Sequence, residues 1–274
     1  MRIVHGVILI LFFFSFEEAT AKMYTGSTPA GVVVRTFLGI SLKDSIDFIR
    51  WQLTLNNSSY TLDCNYGIGK PNTNGFIDGG KKIKLSGSIH KQEYYYVLQN
   101  GNKVLKIASI NSNLLHFLDA NSSMIVGNGG WSYTLNNISP SPDATVNFSF
   151  TRSAFKDSMV LEGRSPCGVP GIIPEGKLCY KLKWYIIFYT VDAANNSGIY
   201  KVYGTPWREQ RGRTGKWQLI STNDGHSIFK LNKDDGSALL NLLQLDNNVF
   251  LFTDATGNLL VGDQDFSYTL NRFF

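Results

Sequence analysis

The chain is a series of short segments in which apolar and polar residues alternate, separated by clusters of Gly, Asn and Asp. Alternation with a period of two predicts half-buried β-strands, and no segment keeps a helical period with caps over three turns. The pattern therefore predicts an all-β protein. The predicted strands are residues 48–55, 59–64, 82–85, 94–98, 104–107, 114–118, 124–126 and 132–135, followed by residues 182–190, 198–203, 216–220, 227–231, 238–242, 249–253, 259–261 and 266–270.

The two sets of strands belong to two copies of one unit. Residues 113–136 align without a gap with residues 248–271, and 11 positions are identical, where unrelated sequences would share roughly 1 or 2. A weaker match sets Gly-Ser-Thr-Pro at residues 26–29 against Gly-Arg-Ser-Pro at residues 163–166. A period of this length fits two whole domains and is too long for a solenoid repeat.

Each copy is expected to close into a barrel. A meander of seven or eight short strands in about 115 residues loses its exposed edges when it closes on itself. We predict two tandem small antiparallel β-barrels with lipocalin-like meanders, formed by residues 22–138 and 158–274 and joined by a linker at residues 139–157. Residues 145–150 alternate again, which predicts either a strand between the domains or a part of the linker.

The first 21 residues have the features of a cleaved secretory signal. They contain Arg2, an apolar run at residues 7–14 and the sequence Ala-Thr-Ala at residues 19–21, which has the small-x-small form of a cleavage site. No later run approaches the 18 apolar residues of a membrane span, and no cysteine follows the signal as a lipidation site. The sequence predicts a protein exported to the periplasm or cell envelope, soluble and not lipid-anchored, without a transmembrane segment after cleavage.

The charge is weakly basic. The formal net charge is +5, without the clustered basic repeats that indicate nucleic-acid binding. The densest basic loop consists of Arg208, Arg211, Arg213 and Lys216. This loop is interpreted either as a solvated surface or as a site for an acidic ligand.

Three cysteines remain after the signal, Cys64, Cys167 and Cys179. An odd number allows one disulfide and one free thiol. Cys167 and Cys179 form the only pair within one domain, and they close the shortest loop. A chain with no disulfide and a bridge to Cys64 are the alternatives.

The duplication supplies an internal control, because chemistry performed by both copies requires the same residues in both. His116 aligns with Leu251, which favours a partly buried or rim histidine over a ligand. No catalytic triad, carboxylate pair, phosphate loop or zinc spacing recurs in both copies, so we predict no enzyme activity. The residues that do recur suit turns and strands, and they are Asp119/Asp254, Gly127/Gly262 and Tyr133/Tyr268.

The second copy resembles the NlpE-like copper-resistance domain of bacterial envelope proteins. The resemblance is carried by Gly-Arg-Ser-Pro-Cys at residues 163–167, by Gly171-Ile172, by Gly-Lys-Trp at residues 215–217 and by Asp-Ala-Thr-Gly at residues 254–257. The family implies a small barrel that takes part in copper tolerance or in the envelope stress response. The family motif continues as Cys-x-x-Cys, whereas Gly-Val-Pro follows Cys167 here, so a soft-metal site would have to use Cys167 with Cys179.

These observations predict a non-enzymatic envelope protein with two NlpE-like domains, which needs no cofactor unless copper is bound. Its partner would be another envelope protein or a small ligand. The alternatives are a carrier of a small apolar ligand inside a barrel and a purely structural or surface interaction module. The features that distinguish this protein are expected around Cys167 and the loops at the barrel mouths, outside the repeated residues 113–136 and 248–271.

Overall fold

The computed structural model describes residues 21–142, 145–146, 155, 157–174, 177–205, 211–222 and 225–274. It contains two closed eight-stranded antiparallel barrels in tandem. Barrel one consists of β1 (Lys22–Pro29), β2 (Phe48–Leu55), β3 (Ser59–Gly67), β4 (Lys81–Lys91), β5 (Tyr95–Asn100), β6 (Lys103–Ser109), β7 (Leu114–Leu118) and β8 (Thr134–Asn137). Barrel two consists of β9 (Ser158–Ser165), β10 (Leu182–Asp192), β11 (Ser197–Gly204), β12 (Arg213–Ser221), β13 (Ser227–Asn232), β14 (Ala238–Gln244), β15 (Val249–Thr253) and β16 (Thr269–Arg272).

Each barrel is a meander in which every strand pairs with the next one along the chain. The last strand returns to the first, because β8 pairs with β1 and β16 pairs with β9. The prediction of an all-β protein with two tandem antiparallel barrels is confirmed. The predicted residues 145–146 form no regular structure, and residues 147–150 and 1–20 lie outside the described residues.

The closing strands β1 and β9 were not predicted from the sequence pattern. The Gly-Ser-Thr-Pro and Gly-Arg-Ser-Pro segments have the composition of turns, yet both lie at the ends of strands. A Cβ on Gly26 would lie 2.9 Å from the carbonyl oxygen of Thr134, and a Cβ on Gly163 would lie 2.8 Å from that of Thr269. These glycines mark the close approach of two strands where each barrel closes.

Two predicted strands are wrong. Residues 124–126 and 259–261 contribute only the isolated bridges Leu118↔Met124 and Thr253↔Leu259. The chain leaves the barrel at these points and contacts the other barrel instead of continuing a ladder. Asp119 and Asp254, which recur in the two copies, open the turns before these segments. Oδ1 of Asp119 accepts one backbone hydrogen bond and Oδ1 of Asp254 accepts two, as expected of turn residues.

The only α-helix of the described residues is α1 (Val32–Leu38), and a short 3-10 helix spans Ile77–Gly79. A run of three valines favours a strand, but α1 buries Val34, Phe37 and Leu38 in the core of barrel one. The helix ends at Gly39, whose φ of 74° is left-handed. Burial at positions i, i+3 and i+4 outweighs the local preference.

Equivalent positions in the two barrels are defined by a shared hydrogen bond. The indole Nε1 of Trp51 donates to Thr28 Oγ1 at 2.8 Å, and the indole Nε1 of Trp184 donates to Ser165 Oγ at 2.9 Å. Both tryptophans are buried beneath the first and second strands of their barrel. A residue of β2 therefore corresponds to the residue of β10 that lies the same number of positions along the chain from its tryptophan.

The repeated hairpins of the two copies pack against each other. Apolar residues of β6, β7, β14 and β15 and of the turns beside them form a third core between the barrels. It is composed of Ala108, Ile110, Leu114, Leu118, Met124, Leu243, Leu245, Val249 and Leu251. Alternate residues of a strand point to the same side, so Tyr133 is expected on the side of Leu135 and Tyr268 on the side of Leu270. Both tyrosines lie in the core of their own barrel. The repeated residues therefore form an interface as well as a turn.

A reciprocal pair of hydrogen bonds gives this interface approximate two-fold symmetry. Asn136 Oδ1 accepts from Gly262 N at 2.8 Å, and Asn271 Oδ1 accepts from Gly127 N at 2.8 Å. Gly127 and Gly262 are also restricted by space. A Cβ at either one would lie 2.3 Å from a carbonyl of its own hairpin and within 3 Å of the asparagine of the other barrel. The asparagines and glycines recur because each copy contacts the other.

Candidate functional site

A buried chain of hydroxyl groups crosses the interface and ends at His116. Ser132 Oγ lies 2.6 Å from Ser267 Oγ, which donates to Thr269 Oγ1 at 2.9 Å, and Thr269 Oγ1 donates to Thr134 Oγ1 at 3.0 Å. Thr134 Oγ1 in turn lies 2.9 Å from Nδ1 of His116. All five side chains are buried.

The direction of every proton in this chain follows from one contact. Nε2 of His116 lies 3.0 Å from the carbonyl oxygen of Ile125, and a carbonyl oxygen can only accept. The proton of the neutral imidazole is therefore on Nε2, and Nδ1 accepts from Thr134. Burial lowers the pKa of His116 to about 4, so the ring is neutral at pH 7. The predicted partly buried or rim position is corrected: His116 is fully buried, and Thr134 links its ring to Thr269 of barrel two.

A concave surface between the barrels has a volume of about 710 Å³ and is lined by residues of both. Barrel one contributes the start of β2, the loop that follows β3 and the segment before β8. Barrel two contributes β9, the start of β10 with the segment before it, and the last hairpin. The lining residues are Asp47, Phe48, Gly69, Lys70, Asn72, Thr73, Asn74, Trp131, Arg164, Tyr180, Lys181, Lys183, Asp265 and Phe266. We call this surface the inter-barrel cleft.

Stacked aromatic rings form one wall of the inter-barrel cleft. Phe48 stacks on Phe76 with ring centroids 4.2 Å apart and on Trp131 with centroids 4.6 Å apart. The guanidinium of Arg164, from barrel two, lies 5.3 Å from the Trp131 ring centroid. This cation–π contact continues the stack from barrel one into barrel two.

Three cations from barrel two line the cleft together with this aromatic wall. Arg164 and Lys183 are paired across β9 and β10, and Lys181 lies 5.4 Å from the Phe266 ring centroid. Burial lowers the pKa of Lys181, and the nearby charges of Arg164 and Lys183 lower it further, while Asp265 opposes this shift. Burial also lowers the pKa of Arg164. The cations are close enough to repel one another, so an anion bound among them would be stabilised.

The acidic residues of the inter-barrel cleft already have partners. Asp265 forms a salt bridge with Arg50 and accepts from Asn74 Nδ2 at 3.0 Å, while Asp47 accepts from Gly69 N at 2.7 Å. Within the described residues no carboxylate forms an ion pair with Arg164, Lys181 or Lys183.

The approximate symmetry explains why the cations of barrel two in the cleft form no ion pair with a carboxylate among the described residues. Asp265 occupies the position in the second copy that Gly130 occupies in the first. Asp265 pairs with Arg50 of barrel one, whereas Gly130 has no side chain to pair with the cations of barrel two. The copies therefore differ in charge at equivalent positions inside the repeat. The expectation that distinguishing features lie outside the repeat is too narrow.

The predicted cysteine pair positions one edge of the inter-barrel cleft. Cys167 and Cys179 form a disulfide, and Tyr180 and Lys181 of the cleft follow Cys179 directly. The bond joins the chain after β9 to the chain before β10, so it limits the movement of this segment. Cys64 is a free thiol buried in barrel one, where burial raises its pKa, and a buried neutral thiol is unreactive.

The described residues of the predicted basic loop do not line the cleft. Arg208 lies outside the described residues. Arg211, Arg213 and Lys216 are described, and none of them lines the inter-barrel cleft. The negative charge near Arg213 comes from Asp235 of its own barrel. The sequence pattern selected a locally dense group of cations, whereas folding brings Arg164, Lys181 and Lys183 together from two strands.

Aromatic side chains fill the interiors of both barrels. In barrel two, Phe229 contacts Trp217, Phe188 and Phe250 with ring centroids 5.4 to 5.7 Å apart. In barrel one, Trp51 packs 4.8 Å from Phe117. Bulky inward side chains argue against the alternative of an apolar ligand carrier, because a carrier requires interior space.

Within the described residues, no group of three or more His, Cys, Asp or Glu side chains is arranged to hold a metal ion. The same part of the chain contains no helix that is long and apolar enough to cross a membrane. No protein-family model matches the chain, and comparisons with curated proteins and with solved structures find no match. Functional inference therefore depends on the chemistry of the cleft.

Proposed function

We propose that the protein is a non-enzymatic, exported binding module whose inter-barrel cleft holds an anionic ligand with a flat apolar face. The observation that carries the proposal is the group of Arg164, Lys181 and Lys183, without carboxylate partners among the described residues, beside the Phe48–Trp131 stack. Guanidinium and ammonium groups bind carboxylates or phosphates, and the aromatic wall provides stacking area. The disulfide supports export, because disulfides persist in oxidising compartments.

The arrangement favours binding over catalysis. The cleft contains permanent positive charges and aromatic faces, which hold and orient a ligand. The interface beneath it is stabilised by the third core and by the paired asparagines, so the two walls are kept in a fixed relation. A preorganised site of this kind gains affinity, since less ordering is needed on binding.

The experiment compares D-glucuronate with D-glucose, which has a similar ring and no carboxylate, by isothermal titration calorimetry. We expect glucuronate to bind and Lys181→Gln and Arg164→Gln each to weaken it by about tenfold, because a charge-assisted hydrogen bond is lost. The matched control is Lys216→Gln, from the basic loop outside the cleft, which should bind as the unmodified protein does. Equal affinity for glucose, or loss of binding in Lys216→Gln alone, would contradict the proposal.

The copper-related role implied by the NlpE-like resemblance remains a separate prediction. Both sulfur atoms of the candidate pair are joined in the disulfide, so the pair offers thiolates to Cu(I) only after reduction. Titration of the reduced protein with Cu(I) against a competing chelator tests this role, and an absence of competition would remove it.

A further inference from the structure

The outer face of barrel two carries an exposed strip of aromatic and aliphatic side chains. It consists of Tyr185, Ile187 and Tyr189 on β10 with Ile199 and Tyr203 on β11, and we call it the tyrosine strip. Tyr185 is 37% exposed, Tyr189 40% and Ile199 50%. The cross-strand pairs Tyr185↔Tyr203 and Tyr189↔Ile199 place these side chains side by side. Contiguous exposed apolar surface on a barrel exterior indicates a binding surface.

Barrel one shows that the fold does not require this strip. The two equivalent tryptophans, Trp51 and Trp184, align Gln52 with Tyr185 and Thr54 with Ile187. The cross-strand partners of Gln52 and Thr54 are Asp63 and Thr61. Gln52 and Asp63 are polar where barrel two has Tyr185 and Tyr203. Thr54 stands where barrel two has Ile187, and Thr61 corresponds to Lys201. The strip is therefore a property of barrel two and not of barrel construction.

The tyrosine strip is continuous with the inter-barrel cleft. Arg164 and Lys183, which line the cleft, are paired across β9 and β10. Alternate residues of a strand share a face, so Tyr185 follows Lys183 on the same face, and Ile187 and Tyr189 continue the row. At about 3.3 Å per residue, the row from Lys183 to Tyr189 is about 20 Å long. A ligand longer than the cleft can extend along it.

The charges along this surface define its occupant as acidic. Lys201 lies between Ile199 and Tyr203 in the β11 row, and its ammonium is 5.1 Å from the Tyr203 ring centroid. Lys183 is exposed at the start of the row. Glu162 is the one acidic side chain paired with the row on β9, and burial raises its pKa. Cations therefore lie at the cleft end of the strip and opposite Ile187 in its middle.

The flat aromatic faces favour a sugar chain over a polypeptide. The apolar C–H face of a pyranose ring stacks on a tyrosine or tryptophan ring, while carboxylates on the same ring pair with Lys or Arg. A peptide that binds a sheet by strand addition needs an open edge, and both described barrels are closed. The strip combines several aromatic rings with Lys183 and Lys201, the two kinds of contact that a polymer of acidic sugars would use.

We propose that the inter-barrel cleft and the tyrosine strip form one extended site for an acidic polysaccharide, with one acidic sugar in the cleft and the following sugars stacked along barrel two. This inference rests on the proposed function and deepens it by naming the ligand class.

The test measures the binding of galacturonic acid monomer, short oligogalacturonates and polygalacturonate to the full-length protein. We expect affinity to rise with chain length. The variant Tyr185→Ser/Tyr189→Ser should bind the monomer as the unmodified protein does. Its affinity for the longer chains should be about tenfold lower than that of the unmodified protein, because two stacking contacts are removed. The matched control in barrel one is Gln52→Ala/Thr54→Ala, which should behave as the unmodified protein at every length. The length dependence of the unmodified protein needs no substitution, so an unstable variant does not prevent the test.

The outcomes separate the two proposals. Monomer binding that depends on Lys181 but does not strengthen with length overturns the extended site and leaves the proposed function standing. An absence of binding by every uronate, short or long, overturns both. Equal binding of a neutral galactan of the same length overturns the acidic class, and preferential binding of single-stranded DNA or polyglutamate overturns the polysaccharide assignment.

Discussion

The two barrels close the same mouth in different ways. After its first strand, barrel one continues into α1, which buries Val34, Phe37 and Leu38 in the barrel core. Barrel two has a loop at this point that buries Val169 and Ile172 and is held by the disulfide between Cys167 and Cys179.

This difference shows how a duplicated fold can change its function. In barrel one the cap is a helix that contributes to the core. In barrel two the cap holds Tyr180 and Lys181 at the edge of the cleft. The buried tryptophan hydrogen bonds remain in both copies, whereas the caps and the outer faces diverge. Divergence at a mouth is tolerated because the sheet beneath it is stabilised by its own ladders.

The largest expected effect concerns the disulfide cap. The double variant Cys167→Ser/Cys179→Ser should lose about 3 kcal/mol of unfolding free energy, because the unfolded chain gains the entropy of the open loop. Glucuronate affinity should fall with it, since the segment before β10 is no longer held. Chemical denaturation and calorimetry measure the two quantities. As a control, reductant should lower the stability and the glucuronate affinity of the unmodified protein to those of the variant. The same reductant should change neither quantity in the variant. Unchanged stability would show that the loop is held by Val169 and Ile172 alone.

A second difference between the copies is His116, which aligns with Leu251 of barrel two. The pKa of His116 is about 4 in the folded protein and near 6.5 in the unfolded chain, so the unfolded state binds more protons between these values. Stability is therefore fully present above pH 6.5 and decreases by up to about 3 kcal/mol as the pH falls to 4.

The variant His116→Leu isolates this contribution, because all other titrating groups are retained. It should be less stable than the unmodified protein at pH 7, since Thr134 and the carbonyl of Ile125 lose a partner. The difference between the two proteins should decrease as the pH falls from 6.5 to 4. Denaturant unfolding at several pH values measures it, and parallel curves would show that His116 is not the acid-sensitive group.

The smallest expected effect distinguishes the paired asparagines. Asn136 also donates through Nδ2 to the carbonyl of Asp263 at 3.0 Å, whereas Nδ2 of Asn271 is buried with no partner among the described residues. Asn136→Ala should therefore cost about 2 kcal/mol and Asn271→Ala about 1 kcal/mol. Denaturant unfolding of the two variants compares them directly. Equal costs would mean that the interface is energetically symmetric.

The strand pattern predicted most of both barrels, because alternation with a period of two depends on which face of a strand is buried. The predicted bounds of β2, β7 and β15 agree with the structure. The pattern did not predict β1 and β9, whose glycines are required by the approach of a distant strand. It also did not predict α1, because the apolar contacts that make Val34 and Phe37 helical come from the barrel core.

The site was predicted less well than the fold. Loop length and domain membership are sequence properties, and they identify Cys167 and Cys179 as the candidate disulfide pair that the structure contains. Arg164, Lys181 and Trp131 were not selected. The alignment of the two copies sets Gly130 of the first against Asp265 of the second. This change of charge is a sequence signal for the cleft.

The sequence alone determined that the protein is a duplicated, all-β chain with a disulfide-competent cysteine pair, because periodicity, repetition and spacing are local properties. Only the tertiary structure decided that the repeated hairpins face each other across an approximate two-fold axis. Residues 135 positions apart, such as Ser132 and Ser267, become hydrogen-bonded neighbours. This packing brings the aromatic residues of one barrel beside the cations of the other, and no local pattern encodes contacts between separately folded sheets.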